Sequence, residues 1–145
     1  MATIVDTNVA SEIGEPRAHP AVLAWRDRQH VHEMFTTAVT EAEMRYGLAV
    51  MPLGRRRDAV ALQTYYLLDG YFEDRILPFD SAAAKIYAEI YASRRRRGRP
   101  ISLQDCQIAA IARSTGMAIA TRNVSDFTDC GIELINPWST EGTPP

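Results

Sequence analysis

Residues 1–14 read MATIVDTNVASEIG. Ala2, Thr3, Ile4 and Val5 suit a short buried strand, and the chain then runs straight into Asp6, Thr7 and Asn8 and turns helix-like. A carboxylate closes the first strand, with two small polar groups behind it. Loops after strands commonly carry polar residues, so a turn alone accounts for Asp6. A stronger explanation requires other acids that could join it in space.

The pattern continues along the chain. "HPAVLAWRDRQ" predicts a helix with Pro20 in its first turn, "MFTTAV" (34–39) a strand, and "TEAEMRYGLAVM" a helix starting at Thr40. Pro52 and Gly54 break the chain before the helical "RRRDAVALQTYYLLDGYF". "RILPF" is a short strand. Asp80 caps a long helix that Gly98 ends, and Ser102 begins another that Gly116 ends. "MAIAT" (117–121) and "IELIN" (132–136) are the last strands. Short, continuously apolar strands alternating with helices are the signature of a parallel sheet covered on both faces. The predicted fold is α/β, a three-layer α/β/α sandwich with a mainly parallel central sheet. One domain is expected over residues 1–138, followed by a disordered polar tail over 139–145. In such sheets ligands bind outside the carboxyl ends of the strands, which is where Asp6 lies.

Composition narrows the class. Hydrophobic content of 46% and charged content of 23% are ordinary for a soluble domain. No apolar run has the length of a membrane span and no basic leader precedes the first strand. Cys106 and Cys130 lack metal-type spacing and read as reduced thiols. A cytoplasmic protein without membrane association is expected. The net charge of −2 does not discriminate among partners. Lys85 is the only lysine, and arginine clusters at Arg55–Arg57 and at Arg94, Arg95, Arg96, Arg97 and Arg99. The second cluster suits a solvated helix C-terminus and equally suits phosphate.

Two predicted helix starts repeat one device. Thr40-Glu41-Ala42-Glu43 fits a capping box, and Ser102-Leu103-Gln104-Asp105 fits the same spacing with Asp. Glu43 and Asp105 thus have a structural reading, reaching back to the capping residue. They also have a second one. Each precedes small residues on its own helical face, Gly47 after Glu43 and Ala109 and Ala112 after Asp105, which would let the helix lie close to the sheet. Both acids would then point toward Asp6. The strand "MAIAT" leads into "RNVSDF", which adds Asn123, Ser125 and Asp126 to the same rim. Several carboxylates on one rim repel unless a cation compensates, and oxygen-only donors suit Mg²⁺ or Mn²⁺, ions able to promote phosphodiester cleavage. His19, His30 and His32 all lie in or beside the second helical segment, away from that rim.

The motifs "IVDTNV", "TEAEMRYG", "LQDCQIAAIA" and "ATRNVSDF", in that order, resemble the PIN-domain ribonucleases, and in particular the toxins of VapBC-type toxin–antitoxin pairs. "RILPFD" and "INPW" resemble the FitB-like branch. The resemblance implies a Mg²⁺- or Mn²⁺-dependent endoribonuclease in which Asp6, Glu43 and Asp105 bind metal. Asp126 of "NVSD" would be the fourth acid, since Asn123 stands where some relatives carry an acid. Thr7, Asn8, Thr121 and Asn123 would orient the acids. The resemblance further implies an RNA substrate, a homodimer or toxin–antitoxin hetero-oligomer, and a small antitoxin through which operator DNA is reached. The Arg94–Arg99 cluster becomes a candidate RNA contact. The competing expectation is a catalytically weak RNA- or antitoxin-binding module on the same fold. A phosphohydrolase with Asp6 as nucleophile would want a second acid two residues on, where Asn8 stands.

Overall fold

Successive residues of a strand face opposite sides of its sheet, and both faces of the first strand are buried. Ile4 belongs to a core with Ile90, Ile108, Ile111 and Ile119, whereas Val5 belongs to a second core with Val9, Val22, Trp25 and Leu67. The computed structural model describes residues 1–139. Among these residues, β1 (Thr3–Val5), β2 (Met34–Thr37), β3 (Ile76–Leu77), β4 (Ala118–Ala120) and β5 (Leu134–Ile135) form one sheet. Its order is β3-β2-β1-β4-β5, and every pairing is parallel. The expected sandwich is therefore present. Of the expected tail, Ser139 is described, its N–H donating to the Asn136 carbonyl; residues 140–145 lie outside the described part.

Six helices cover the sheet among the described residues: α1 (Thr7–Gly14), α2 (Pro20–Asp27), α3 (Ala38–Ala49), α4 (Arg55–Tyr65), α5 (Ser81–Arg96) and α6 (Leu103–Thr115). α1 and α2 contribute to the core around Val5, and α5 and α6 to the core around Ile4. α4 runs on into a π-helical turn, Tyr66–Tyr71, that buries Leu67 and Leu68, with Phe72 buried just after it. Tyr65 and Tyr66 stay exposed, so "TYYLLDGYF" is split between packing and surface. The capping residues mostly act as read. Asp80 accepts from Ala83 N–H, Ser102 from Asp105 N–H, and Gly116 ends α6 in the left-handed conformation at φ 72°. His19 caps α2 through Nδ1.

The strand order places the chain reversal at β1. The first crossovers add β2 and β3 on one side, and the later ones add β4 and β5 on the other. The crevice at the carboxyl ends of β1 and β4 is thus a topological switch point.

Two expectations about α3 are corrected. The helix starts at Ala38, and its cap is Thr37, whose side chain accepts the Thr40 N–H at 3.1 Å. Thr40 is therefore inside the helix, and Glu43 falls in the second turn. Gly47 does not mediate a close approach either, because a Cβ there would meet nothing within 4 Å. Ala109 and Ala112 do sit fully buried in α6, as their spacing implied.

That contrast is testable by chemical denaturation. Gly47→Ala should stabilise by about 0.5–1 kcal/mol, because it removes helix-interior glycine entropy and meets no neighbour. Ala109→Leu should destabilise by about 1–3 kcal/mol through overpacking. Equal effects of the two would contradict the packing described.

Candidate active site

Asp6 follows the last residue of β1, and its N–H donates to the Ala120 carbonyl of β4 at 2.9 Å. The side chain is only 6% exposed. Both carboxylate oxygens are engaged. Oδ1 accepts the Thr7 N–H at 2.8 Å, while Oδ2 accepts the Thr121 hydroxyl at 2.9 Å and the Asn8 Nδ2 at 3.2 Å. Asn8 is itself fixed, since its Oδ1 accepts the Arg122 N–H at 3.1 Å, and Thr121 Oγ1 accepts the Asn123 N–H at 3.0 Å. The stretch that ends β1 and the stretch that ends β4 are thus laced together through the Asp6 carboxylate. Thr7, Asn8 and Thr121 all hydrogen-bond the Asp6 carboxylate. Asn123 contributes its backbone N–H, while its side chain is exposed and makes no capping bond to the short 3₁₀ turn Val124–Phe127.

Thr40 is a member that the sequence reading missed. Its hydroxyl lies 3.1 Å from that of Thr7, joining α3 to α1 at the site. Thr36 Oγ1 donates to the Val5 carbonyl at 3.1 Å. The signal was present in "TTAVT": three threonines where a strand gives way to a helix, all of them fully buried polar groups that need partners.

The acids sense one another. Burial pushes the Asp6 carboxyl up; bonds from Thr121, Thr7 and Asn8 hold it down, and Asp126 adds repulsion. Glu43 is raised by burial, then by Asp6 and Asp105, with a Thr7 bond opposing. Asp105 is raised by burial, opposed by Ser102, raised further by Asp6 and Asp126, and lowered by Arg94. Asp6 thus acts on both Glu43 and Asp105, and Asp126 acts on Asp6 and Asp105. Asp105 and Asp126 line a common pocket with Ser102 and Arg94. Thr7 and Glu43 stand at a separate groove of about 330 Å³ that continues along Met44, Leu48, Met51 and Leu67.

The donor set suits a hard divalent cation: carboxylates only, mutually repelling, with hydroxyl and amide groups orienting the central one. Among the described residues, no three His, Cys, Asp or Glu side chains stand close enough to enclose one ion. A cage of three is not required for Mg²⁺, which is commonly held by one or two carboxylates and keeps several waters.

The arginine cluster divides. Arg94 is 4% exposed and spends its donors on backbone carbonyls, so it is unavailable to RNA, and that expectation is corrected. Arg97 and Arg99 each pair with Asp129 at 3.3 and 3.4 Å. Arg95 and Arg96 are exposed and have no ion pair among the described residues. Among the described residues no helix is long and apolar enough to cross a membrane.

Comparison with known proteins gives the family of the chain. A family model described as PIN domain matches residues 3–129. The chain is 39% identical over 135 residues to VapC ribonuclease Y4jK of Sinorhizobium fredii, covering 93% of this chain and 96% of that protein. It is 33% identical over 135 residues to Toxin FitB of Neisseria gonorrhoeae, covering 93% and 97%. A solved structure of FitAB bound to an IR36 DNA fragment superposes with a TM-score of 0.86 at 34% identity, covering 94% of this chain and 96% of that one.

Burial and mutual repulsion of the acids together have a measurable cost. A carboxyl raised in the fold binds its proton more tightly there than in the unfolded chain, so stability falls as pH rises through the shifted value. Asp105→Asn should raise the melting temperature of metal-free protein at neutral pH. The gain should vanish at acid pH, where the native carboxyl is protonated. Thermal melts across pH check this, and a gain that persists at low pH would assign it to something other than charge.

Proposed function

Because this chain belongs to the PIN-domain family, we propose that it is a metal-dependent endoribonuclease, the toxin of a type II toxin–antitoxin pair. The observation that carries the reading is the carboxylate of Asp6, buried at the switch point and oriented on both oxygens, with Glu43, Asp105 and Asp126 in its field. Asp6 and Asp105 would hold Mg²⁺ or Mn²⁺, with Asp126 as a further ligand and Glu43 bound directly or through water. When bound, such a cation supplies an acidified water and offsets the charge that builds on the phosphate.

The chain's own residues do the rest. Thr7, Asn8 and Thr121 fix the Asp6 carboxylate so that it needs no reorganisation when RNA arrives. Glu43 stands beside the Thr7 hydroxyl, and its carboxyl is raised by partial burial and by its acidic neighbours. In this reading it would orient the attacking water and accept its proton, a task that favours a carboxyl shifted upward. Arg95 and Arg96 are the members of the arginine run left free to meet the RNA backbone.

The groove from Thr7 and Glu43 along Met44, Leu48, Met51 and Leu67 is mainly apolar, with Glu15 and Glu43 as its two acids. That suits a small antitoxin segment laying apolar side chains along it and directing a cation at the acids, with operator DNA bound by the antitoxin. The complex, as a toxin dimer or hetero-oligomer, would act in the cytoplasm, in keeping with two free, buried cysteines.

Asp6→Asn should lower RNA cleavage by more than about a hundredfold, above the 10–100-fold typical of an orienting residue. Thr121→Val should fall within that 10–100-fold range. Both should fold, and a chelator should abolish wild-type cleavage until Mn²⁺ is restored. Wild-type cleavage rates in Asp6→Asn, measured on a defined RNA, would overturn the reading.

A further inference from the structure

Arg94 lies in the last turn of α5, four residues beyond Ile90 on the same buried face. Its guanidinium is held by main-chain carbonyls. Nε donates to the Arg99 carbonyl at 2.7 Å, and Nη1 to those of Asp126 and Thr128 at 3.0 and 2.8 Å, with Cys130 Sγ at 3.6 Å. Among the described residues no carboxylate lies within ion-pair distance of it. Burying a cation without an acid is costly, and the cost is offset here by main-chain carbonyls that an apolar residue of similar volume would leave without a donor. A group so costly to bury needs a purpose.

The bonded carbonyls supply one. Arg99 belongs to the turn that leads into Ser102, the cap of α6, and so into Asp105. Asp126 and Thr128 belong to the turn after β4. One planar, rigid donor group thus ties the segment carrying Asp126 to the segment that precedes Asp105. Arg94, Ser102, Asp105 and Asp126 also line the same pocket. Asp129 adds exposed ion pairs to Arg97 and Arg99 across the same two segments, but pairs of that kind contribute little.

We propose that Arg94 is a positioning residue of the nuclease site, setting the separation of Asp126 and Asp105 through the backbone carbonyls it binds. The proposal rests on the metal-dependent reading given above. Lysine at this position keeps the charge and the stem but loses the fork that reaches both segments at once. Methionine keeps only the stem.

The test is Mn²⁺ titration calorimetry on the full chain, with Arg94→Lys, Arg94→Met and Asp126→Asn made singly and Asp126→Asn combined with each Arg94 variant. Arg94→Lys should weaken Mn²⁺ binding about tenfold or more, the scale of a lost orienting contact. In the Asp126→Asn background the same change should have little further effect. Ile90→Val, which loosens α5 packing, and Asp129→Ala, which removes the exposed pairs, should leave Mn²⁺ affinity unchanged. A lower melting temperature for both Arg94 variants with wild-type Mn²⁺ affinity would make Arg94 merely structural and overturn the proposal. Additive losses with Asp126→Asn would overturn it too, since Arg94 would then not act through Asp126. Wild-type protein that binds no Mn²⁺ would instead overturn the nuclease reading on which it rests.

Discussion

A buried carboxylate at the open end of a parallel sheet is the constraint around which this molecule is arranged. Asp6 is nearly enclosed, yet it takes three hydrogen bonds, from Thr7, Asn8 and Thr121. The Thr7 N–H is local to the start of α1, whereas the other two donors depend on backbone placed by the β1–β4 pairing. Thr121 is available because β4 runs parallel to β1 in register, Ile4 opposite Ile119 and Val5 opposite Ala120. Asn8 is oriented because the chain leaving β4 returns an N–H to it. Without that pairing the acid would be desolvated and uncompensated, at a cost that a domain of ordinary stability could not carry.

The remaining acids follow from the same place in the fold. Glu43 and Asp105 arrive on α3 and α6, each raised first by burial and then by its acidic neighbours. The fold thus concentrates charge of one sign where it is least comfortable, and stability and chemistry pull in opposite directions at this rim. Small residues make the arrangement feasible on one side. Ala109 and Ala112 let α6 lie against the sheet, so that its first turn projects at the strand ends.

Much of this was legible in the sequence. Strand–helix alternation, the parallel sheet and most helix caps follow from periodicity and turn chemistry, and Asp6 stands at the strand end where "IVDTN" puts it. The misreadings have physical causes. In "TTAVTEAE" two threonines three residues apart can each cap a helix, and β-branched Val39 extends the apparent strand. Only the three-dimensional packing chooses Thr37 and turns Thr40 toward Thr7. Gly47 was read as a packing residue, but α3 exposes that face. In the run Arg94–Arg97 every residue looks alike by composition. The spacing of buried Ala83 and Ile90 does point to Arg94 as the next member of the buried face, a signal that the charge of the run conceals.

The outermost strands carry a further consequence. β3 and β5 are two residues each, at either margin of a sheet whose central strands are three or four. Margins so short leave little unpaired backbone to template another chain, which is how natural sheets resist edge-to-edge aggregation. The same brevity weakens strand addition as a mode of recognition. What this surface offers a partner is therefore side chains, whose identity is specific, rather than bare strand edges, which pair generically.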